Sequence, residues 1–255
     1  MRPRAILDDI ATAGTLLTRM PGFARLLKHR DVDLTRSVWA YPLIGALVGL
    51  IGGAVYAVAL AFGLGAMIAA GLAIAVQVLA TGGFHEDGLA DVADGLGGGQ
   101  SREQKLEIMR DSRLGSYGAL ALILVTGLRW AALATTAIAG APVIVLVCAG
   151  VLARTAIAGL LAVLPPARRG GMGAVASSPP GWVIRTAFVL GGLTALTLLP
   201  LLTAMAAIVA TITAAAVTAL IGYRHIGGYT GDLLGTAAQA AEVAVLLALV
   251  TIMGL

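Results

Sequence analysis

The feature that most constrains this chain is a long stretch without a charged residue or a histidine, from Trp39 to Gly83. A membrane-spanning helix needs about 20 mainly apolar residues, so this stretch has room for two spans. We place them at 42–62 and 64–83, joined by a tight turn near Gly63. An ordinary soluble domain is about 25% charged, whereas this chain is 12% charged and 59% hydrophobic. A soluble globular fold is therefore excluded.

Two other classes are excluded as well. Disordered chains lack apolar residues, which are abundant here, and a scaffold of disulfides cannot form from a single cysteine, Cys148. Further apolar runs lie at 117–139, 142–164, 182–222 and 236–255. The run 182–222 is too long for one crossing, and Pro200 near its middle predicts a turn between two spans. The sequence thus predicts an all-α, polytopic membrane helix bundle of about seven transmembrane helices, forming one domain over 1–255.

The charged residues predict the orientation of this bundle. The predicted turns at Gly63, at 140–141 and at Pro200 carry no charge, whereas almost all Lys and Arg lie in four polar segments, 1–38, 84–116, 165–181 and 223–235. The positive-inside rule places these segments in the cytoplasm. We therefore expect a multi-pass protein of the cytoplasmic (inner) membrane, in contact with lipid, whose active face is cytoplasmic. The net charge of +4 is an orientation signal, and no basic patch interleaved with aromatic residues indicates nucleic-acid binding.

The N-terminal segment 1–38 is predicted to lie at the membrane interface. Apolar residues recur there at helical spacing, namely Ile6, Ile10, Ala13, Leu17 and Met20. This pattern predicts a short amphipathic helix on the cytoplasmic membrane surface that ends before Pro21. Asp8 and Asp9, together with the lack of a long apolar core, argue against a signal peptide.

An acidic, glycine-rich segment, 81–116, carries the strongest chemical signal and is expected to be the cytoplasmic catalytic segment. Asp87, Asp91 and Asp94 have i, i+4, i+7 spacing, which places them within about 60° on one helical face. Such carboxylates repel one another unless a cation neutralises them, and oxygen ligands favour Mg²⁺. The alternative is a solvated acidic face. We favour the metal site because glycines, including Gly97 and Gly98, allow close approach of a ligand.

Residues flanking this segment extend the predicted site. Ser101 and Gln104 have capping-box spacing and predict a surface helix over 101–109. Asp111 and Arg113, just before the third span, suit metal and phosphate binding. Arg168 and Arg169 precede a glycine-rich loop that could clamp a phosphate or contact anionic lipid.

A short internal echo predicts a second contribution. The segment 82–87, GGFHED, is similar to 227–232, GGYTGD. If the echo is real, Asp232, in a second glycine–aspartate loop at 223–235, faces the same chamber as Asp87. Inside the predicted spans, Arg129, Arg154 and Glu242 should face the interior of the bundle. Arg154 could pair with Glu242, and snorkelling is the alternative for Arg129.

These residues favour a membrane enzyme of phosphoryl transfer, in which carboxylates hold Mg²⁺ and arginines bind phosphate oxygens. A transporter is the competing class. Transporters place their binding groups near the bilayer midplane, often within inverted repeats. Here most acids gather on one surface and the echo is not inverted, which favours the enzyme.

The run 82–99, GGFHEDGLADVADGLGGG, followed by REQKLEIMRDSRLGSYG at 102–118, resembles the adenosylcobinamide-GDP ribazoletransferase (cobalamin 5′-phosphate synthase) family. Four further segments are similar to that family, in order along the chain: TRMPGF at 18–23, YPLIGALVG at 41–49, PPARRGGMG at 165–173 and GGYTGDLLG at 227–235. Position 86, often apolar in such sequences, is Glu in this one. The Asp91-x-x-Asp94-Gly95 portion also looks like part of the acidic motif of CDP-alcohol phosphotransferases, which is an alternative function.

The resemblance implies a reaction and a set of site residues. A ribose hydroxyl of α-ribazole, or of its 5′-phosphate, attacks the cobinamide-side phosphorus of adenosylcobinamide-GDP, and GMP leaves. It implies that Mg²⁺ is required, and we assign it to Asp87, Asp91 and Asp94. Asp111 or Asp232 would complete the site, and one Asp would act as base. The substrate- and phosphate-binding candidates are Arg19, Arg110, Arg113, His85, Gly97, Gly98, Arg168 and Arg169. The many small residues are also compatible with a homo-oligomer.

Overall fold

The computed structural model describes residues 3–27, 32–136, 142–168 and 178–254. The described residues form helices joined by turns, together with an isolated β-bridge between Pro166 and Tyr229. The helices are α1 Pro3–Leu17, α2 Pro21–Leu26, α3 Leu34–Ser37, α4 Tyr41–Ala61, α5 Ala66–Thr81, α6 Phe84–Gly98, α7 Arg102–Ile108, α8 Ser116–Thr135, α9 Pro142–Val163, α10 Gly181–Leu198, α11 Leu201–Ile226 and α12 Gly231–Met253. A 3₁₀ turn, Val38–Ala40, joins α3 to α4. The predicted all-α membrane bundle is confirmed.

Six of the described segments are long and apolar enough to cross a membrane. They are Leu34–Ala61, Ser116–Thr135, Pro142–Val163, Gly181–Leu198, Leu201–Ile226 and Gly231–Met253. Together, α5 and α6 are also long and apolar enough to cross, but the two helices meet at an angle of 88°. Counting them as one broken span gives a seventh crossing. The predicted break at Pro200 is confirmed, because α10 ends at Leu198 and α11 begins at Leu201. Proline lacks the N–H that a helix interior requires, so it starts the second helix.

Several predicted connections are shorter in the structure because helices extend into them. The segment 223–235 is reduced to the turn 227–230, since α11 runs to Ile226 and α12 begins at Gly231. The side chain of Thr230 accepts a hydrogen bond from the Leu233 amide and caps α12. The acidic segment is likewise helical over α6 and α7, and α7 has the predicted capping box of Ser101 and Gln104. The predicted turn at 140–141 lies outside the described residues.

The N-terminal helix predicted from its apolar spacing is present as α1, which ends before Pro21. It is tied to the bundle by a buried carboxylate. Asp9, which is 2% exposed, accepts hydrogen bonds from Arg36 Nε at 2.8 Å and from Trp39 Nε1 at 2.9 Å. Since Arg36 and Trp39 lead into α4, this contact fixes α1 against the start of the first span.

The centre of the bundle is α9, which is buried over most of its length and packs against α4 and α12. Glycines bring α4 and α9 close together: a Cβ added at Gly45 would meet the main chain of Gly150, and one added at Gly49 would meet the main chain of Leu146. Small residues let helix backbones approach in this way within membranes. The structure thus gives the glycines of the first span a packing role.

Replacing Gly45 with alanine is expected to destabilise the bundle by about 1–3 kcal/mol, because the added methyl group overpacks the α4–α9 contact. The measurement is thermal unfolding of the detergent-solubilised protein. Gly127 on α8 provides the control, since a Cβ there would meet no heavy atom within 4 Å. A Gly45→Ala variant that melts together with Gly127→Ala would contradict the packing role.

Candidate active site

The acidic helix α6 is held at a sharp angle to α5 by two consecutive glycines. Gly82 and Gly83 both have φ of +69°, in the left-handed region that residues with a Cβ rarely adopt. Gly82 ends α5, and Gly83 begins α6. A side chain on Gly82 would also collide with the side chain of Arg19. The glycines before the acidic residues therefore serve the 88° bend, which turns α6 across the end of α5.

The predicted triad of aspartates lies on one helix, and the exposure of its members falls along the chain. Asp87 is exposed, Asp91 is half-buried and Asp94 is buried. The ends of α5 and α9 and the beginnings of α8 and α12 share one end of the bundle, because successive spans run in opposite directions. The acidic face of α6 lies at this end.

Asp94 has a structural task in the described fold. Its two carboxylate oxygens accept hydrogen bonds from the Gly115 amide at 2.7 Å and the Gly118 amide at 2.9 Å. Gly115 is the residue that caps the start of α8, and Gly118 lies in the first turn, where N–H groups have no partner within the helix. A carboxylate is also favoured there by the helix dipole. Asp94, which we predicted as a metal ligand, is therefore engaged in fixing α6 to α8.

Asp232, which the internal echo predicted to share a chamber with Asp87, lies on the part of α12 that packs against α6. A Cβ added at Gly88 would lie 2.8 Å from the main-chain oxygen of Asp232, so α6 and α12 approach closely at this point. The pKa of Asp91 is raised to about 7 by burial first, and then by the charges of Asp87, Asp232 and Asp94. Arg168 acts in the opposite direction. The four carboxylates thus form one electrostatically coupled site.

Arg168 is brought to this site by a short pairing of two loops. The Ala167 amide donates to the Tyr229 carbonyl at 2.8 Å, and the Tyr229 amide donates to the Pro165 carbonyl at 2.9 Å. Arg168 Nη2 then lies 3.4 Å from Asp232 Oδ2. Its Nη1 is buried and has no hydrogen-bond partner within the described structure. This free donor is suited to a phosphate oxygen. Arg169 lies outside the described residues.

The donor set suits Mg²⁺ in its chemistry. Within the described residues, no group of three or more His, Cys, Asp or Glu side chains is arranged to hold a metal ion. Mg²⁺ does not require such a cage, since it usually keeps several waters and binds one or two carboxylates together with substrate phosphates. Asp87, Asp91 and Asp232 supply oxygens whose mutual repulsion a divalent cation would relieve. The oxygen donors of these residues therefore have the chemistry that Mg²⁺ uses beside a diphosphate.

Other predicted residues lie apart from these carboxylates. Asp111 pairs with Arg113, whose Nε lies 3.0 Å from both carboxylate oxygens, and this pairing lowers the pKa of Asp111. Asp111, Arg110 and Gly98 line a polar cleft of about 650 Å³ between α6 and α7. The backbone of Gly97 packs on the ring of Tyr117, so its smallness serves helix packing. The structure brings Asp232, rather than Asp111, to the aspartates of α6.

His85 is buried behind the acidic face, with 1% of its surface exposed. His85 therefore lies inside the bundle and does not reach the surface that we predicted to bind phosphate. It lines a small cavity together with Glu86, Arg129, Arg154, Gln239 and Glu242. Arg154 Nη1 lies 3.4 Å from Glu242 Oε2, which confirms that predicted pair.

The network of polar side chains around this cavity contains three contacts that the sequence did not predict. Arg129, for which snorkelling was the alternative, is 2% exposed and donates to Glu86 at 3.0 Å and to Glu242 at 2.7 Å. Gln239 Nε2 donates to the same Glu86 oxygen at 2.9 Å. A signal in the sequence was available: Glu86 is a carboxylate next to Asp87 that lies about 100° around α6 from it, outside the face shared by the three aspartates.

A second missed residue is Arg102, which joins α7 to the bundle. Its Nε donates to the Ile226 carbonyl at 2.9 Å and its Nη2 to the Ala167 carbonyl at 2.5 Å. A cation at the C-terminus of α11 also interacts favourably with the helix dipole. Arg102 therefore links the helix after the acidic face to the loop that carries Arg168.

The fold and this site together define a helical integral membrane protein with a carboxylate- and arginine-lined surface at one end of its bundle. The family model described as cobalamin-5-phosphate synthase matches residues 9–250. The chain therefore belongs to the cobalamin-5-phosphate synthase family.

Similar proteins with assigned names agree with this family. The chain is 42% identical over 245 residues to an adenosylcobinamide-GDP ribazoletransferase of Bradyrhizobium diazoefficiens, covering 96% of this chain and 94% of that protein. It is 44% identical over 247 residues to the protein of the same name from Mesorhizobium japonicum, covering 97% of this chain and 94% of the relative. No solved structure matches the chain significantly.

Proposed function

We propose that this protein is a membrane transferase that joins adenosylcobinamide-GDP to α-ribazole or to α-ribazole 5′-phosphate. The products are GMP and adenosylcobalamin or its 5′-phosphate. The observation that carries the proposal is the family match over residues 9–250, supported by relatives named adenosylcobinamide-GDP ribazoletransferase that align with almost the whole chain. The coupled carboxylates and the free guanidinium donor of Arg168 are the groups that a diphosphate substrate requires.

In this reaction a ribose hydroxyl oxygen forms a bond to the cobinamide-side phosphorus, and the bond from that phosphorus to the oxygen of GMP breaks. The hydroxyl proton passes to a base, for which one of the aspartates on α6 or α12 is suited. Arg168 would donate to a diphosphate oxygen through Nη1, which has no partner among the described residues. The proposed Mg²⁺, held by Asp87, Asp91 and Asp232, would neutralise charge on the diphosphate.

The direct test is an assay of the purified, folded protein with adenosylcobinamide-GDP, α-ribazole and Mg²⁺, in which the release of GMP is followed. We expect GMP release that depends on both substrates and stops when the divalent cation is chelated. Absence of GMP release with either α-ribazole or its 5′-phosphate would overturn the transferase function. Activity that persists in the presence of chelator would overturn the metal requirement alone.

We also propose that the carboxylate-bearing end of the bundle faces the cytoplasm. A cysteine at Ser101, which is exposed, should react with an impermeant thiol reagent only after the cytoplasmic side is opened. A cysteine at Phe62, which is 82% exposed at the far end of α4, should react in intact cells. The native Cys148 is buried and should give little background. Labelling in the reverse pattern would overturn the orientation.

A further inference from the structure

The acidic helix α6 is attached to the bundle through one carboxylate on its inner side. Glu86 Oε1 accepts a hydrogen bond from Arg129 Nη1 of α8 at 3.0 Å and another from Gln239 Nε2 of α12 at 2.9 Å. A single oxygen therefore joins α6 to two membrane-spanning helices.

This attachment continues deeper into the bundle. Arg129 Nη2 donates to Glu242 at 2.7 Å, and Arg154 of α9 lies 3.4 Å from the other oxygen of Glu242. The side chains of Arg129, Arg154 and Glu242 are 3–4% exposed. With Glu86, two guanidinium groups face two carboxylates, so the formal charges balance. Buried charges are tolerated only when they are paired. Because separating these pairs would leave a charge unpaired inside the bundle, the side chains of this network are held in place.

The proposed site lies on the neighbouring face of the same helical turn, about 100° around α6. Asp87 follows Glu86 directly and is exposed, and Asp91 lies about one turn further along. Between them, the carbonyl of Gly88 accepts a hydrogen bond from Thr236 Oγ1 of α12 at 3.1 Å. The position of the first turns of α6 on α12 thus decides how far Asp87 and Asp91 lie from Asp232.

We propose that Glu86 is a positioning residue, which holds the first turn of α6 so that Asp87 and Asp91 face Asp232 at the spacing a divalent cation and a diphosphate require. The proposal rests on the proposed function of this site. Glu86 itself does not touch the substrate; it acts through Arg129 and Gln239, whose side chains fix its carboxylate. The far end of α6 is fixed separately by Asp94, so the loss of Glu86 would displace mainly the end that carries Asp87.

The experiment compares Glu86→Ala, Glu86→Gln and Gln239→Leu, with Glu103→Gln as control. Glu103 is a carboxylate on α7 whose side chain is 78% exposed. Each purified protein is titrated with Mn²⁺ alone, and the free ion is followed by electron paramagnetic resonance. The kcat and KM for GMP release and the melting temperature in detergent are then measured.

We expect Glu86→Ala to weaken Mn²⁺ binding and to lower kcat by up to about 100-fold, the loss that a misplacement of about 1 Å can cause. Glu86→Gln keeps an oxygen that accepts the same two hydrogen bonds but leaves two buried guanidinium groups with one carboxylate. We therefore expect it to melt below the wild type, while its folded fraction recovers most of the Mn²⁺ binding and kcat lost in Glu86→Ala. Gln239→Leu removes one of the two donors to Glu86 and also the oxygen that accepts from Arg129 Nη1 at 3.1 Å, and its effect on Mn²⁺ binding and kcat should be intermediate. Glu103→Gln should behave as the wild type.

A purely structural role would lower the melting temperature and leave Mn²⁺ binding and kcat of the folded fraction unchanged. That result, or a Glu86→Gln variant as impaired as Glu86→Ala, would overturn the proposal. If Glu86→Ala does not fold, Gln239→Leu decides: unchanged Mn²⁺ binding and kcat in that variant would overturn it. A wild-type protein that binds Mn²⁺ but releases no GMP would instead count against the proposed function, since the Mn²⁺ titration measures the effect of Glu86 without turnover.

Discussion

Replacing Asp91 with alanine is expected to lower the rate of GMP release by about 10²–10³-fold, the cost of removing one group that stabilises charge in a transition state. Asp91 is the carboxylate on which Asp87, Asp94, Asp232 and Arg168 all act, so its loss removes the centre of the coupled site. The rate is measured under saturating substrate and Mg²⁺, on protein whose melting temperature has been determined.

The matched control is Glu103→Ala, which also removes a carboxylate, but from the exposed surface of α7. It should retain the wild-type rate, because a single exposed ion pair contributes little to stability. An Asp91→Ala variant that is folded and turns over at a near-normal rate would show that Asp91 is not part of the reaction site. Asp87→Ala is expected to behave like Asp91→Ala, since the two share one face of α6.

Replacing Glu242 with leucine is expected to destabilise the folded protein by about 3–5 kcal/mol, because breaking a buried ion pair leaves uncompensated charge. Glu242 accepts from Arg129 Nη2 at 2.7 Å and faces Arg154 Nη1 at 3.4 Å. Without Glu242, two buried guanidinium groups would share the single carboxylate of Glu86. The measurement is thermal unfolding in detergent, in which Glu242→Leu should melt well below the wild type.

The double variant Glu242→Leu with Arg154→Leu separates charge balance from packing. It leaves Arg129 paired with Glu86, so the interior is again neutral. Replacing a buried ion pair with apolar side chains is often neutral or stabilising, and the double variant should therefore melt closer to the wild type than Glu242→Leu does. Destabilisations that simply add would show that the two side chains are not energetically coupled.

The fold was largely predictable because a membrane span can be recognised from the hydropathy of a short stretch of sequence. The apolar runs, the break at Pro200 and the helix of the N-terminal segment all follow from hydropathy and from the backbone chemistry of proline. The prediction failed at the polar connections. Residues 223–235 were predicted as a loop, yet α11 and α12 extend into this segment because Thr230 caps α12 across a four-residue turn.

The site was predicted in part, for a related reason. The spacing of Asp87 and Asp91 on one helical face, and the echo that pointed to Asp232, depend on short stretches of sequence. The hydrogen bonds of Asp94 could not be predicted from such a stretch, because their donors, the Gly115 and Gly118 amides, lie at the start of a different helix. Asp111 was one of two candidates to complete the cluster, and in the structure it is paired with Arg113, two residues away.

By itself, the sequence determined that the chain is a helical membrane protein and that its few acidic residues concentrate before the third span. Both follow from the free-energy cost of placing a charged side chain in hydrocarbon, because each residue contributes to this cost separately. The tertiary structure alone decided which of these residues meet. The direction in which Glu86, Asp94 and Arg129 point depends on the 88° turn between α5 and α6 and on contacts between helices far apart in the chain. Hydrogen bonds and ion pairs between helices depend on how the helices pack, and a short sequence pattern does not determine that packing.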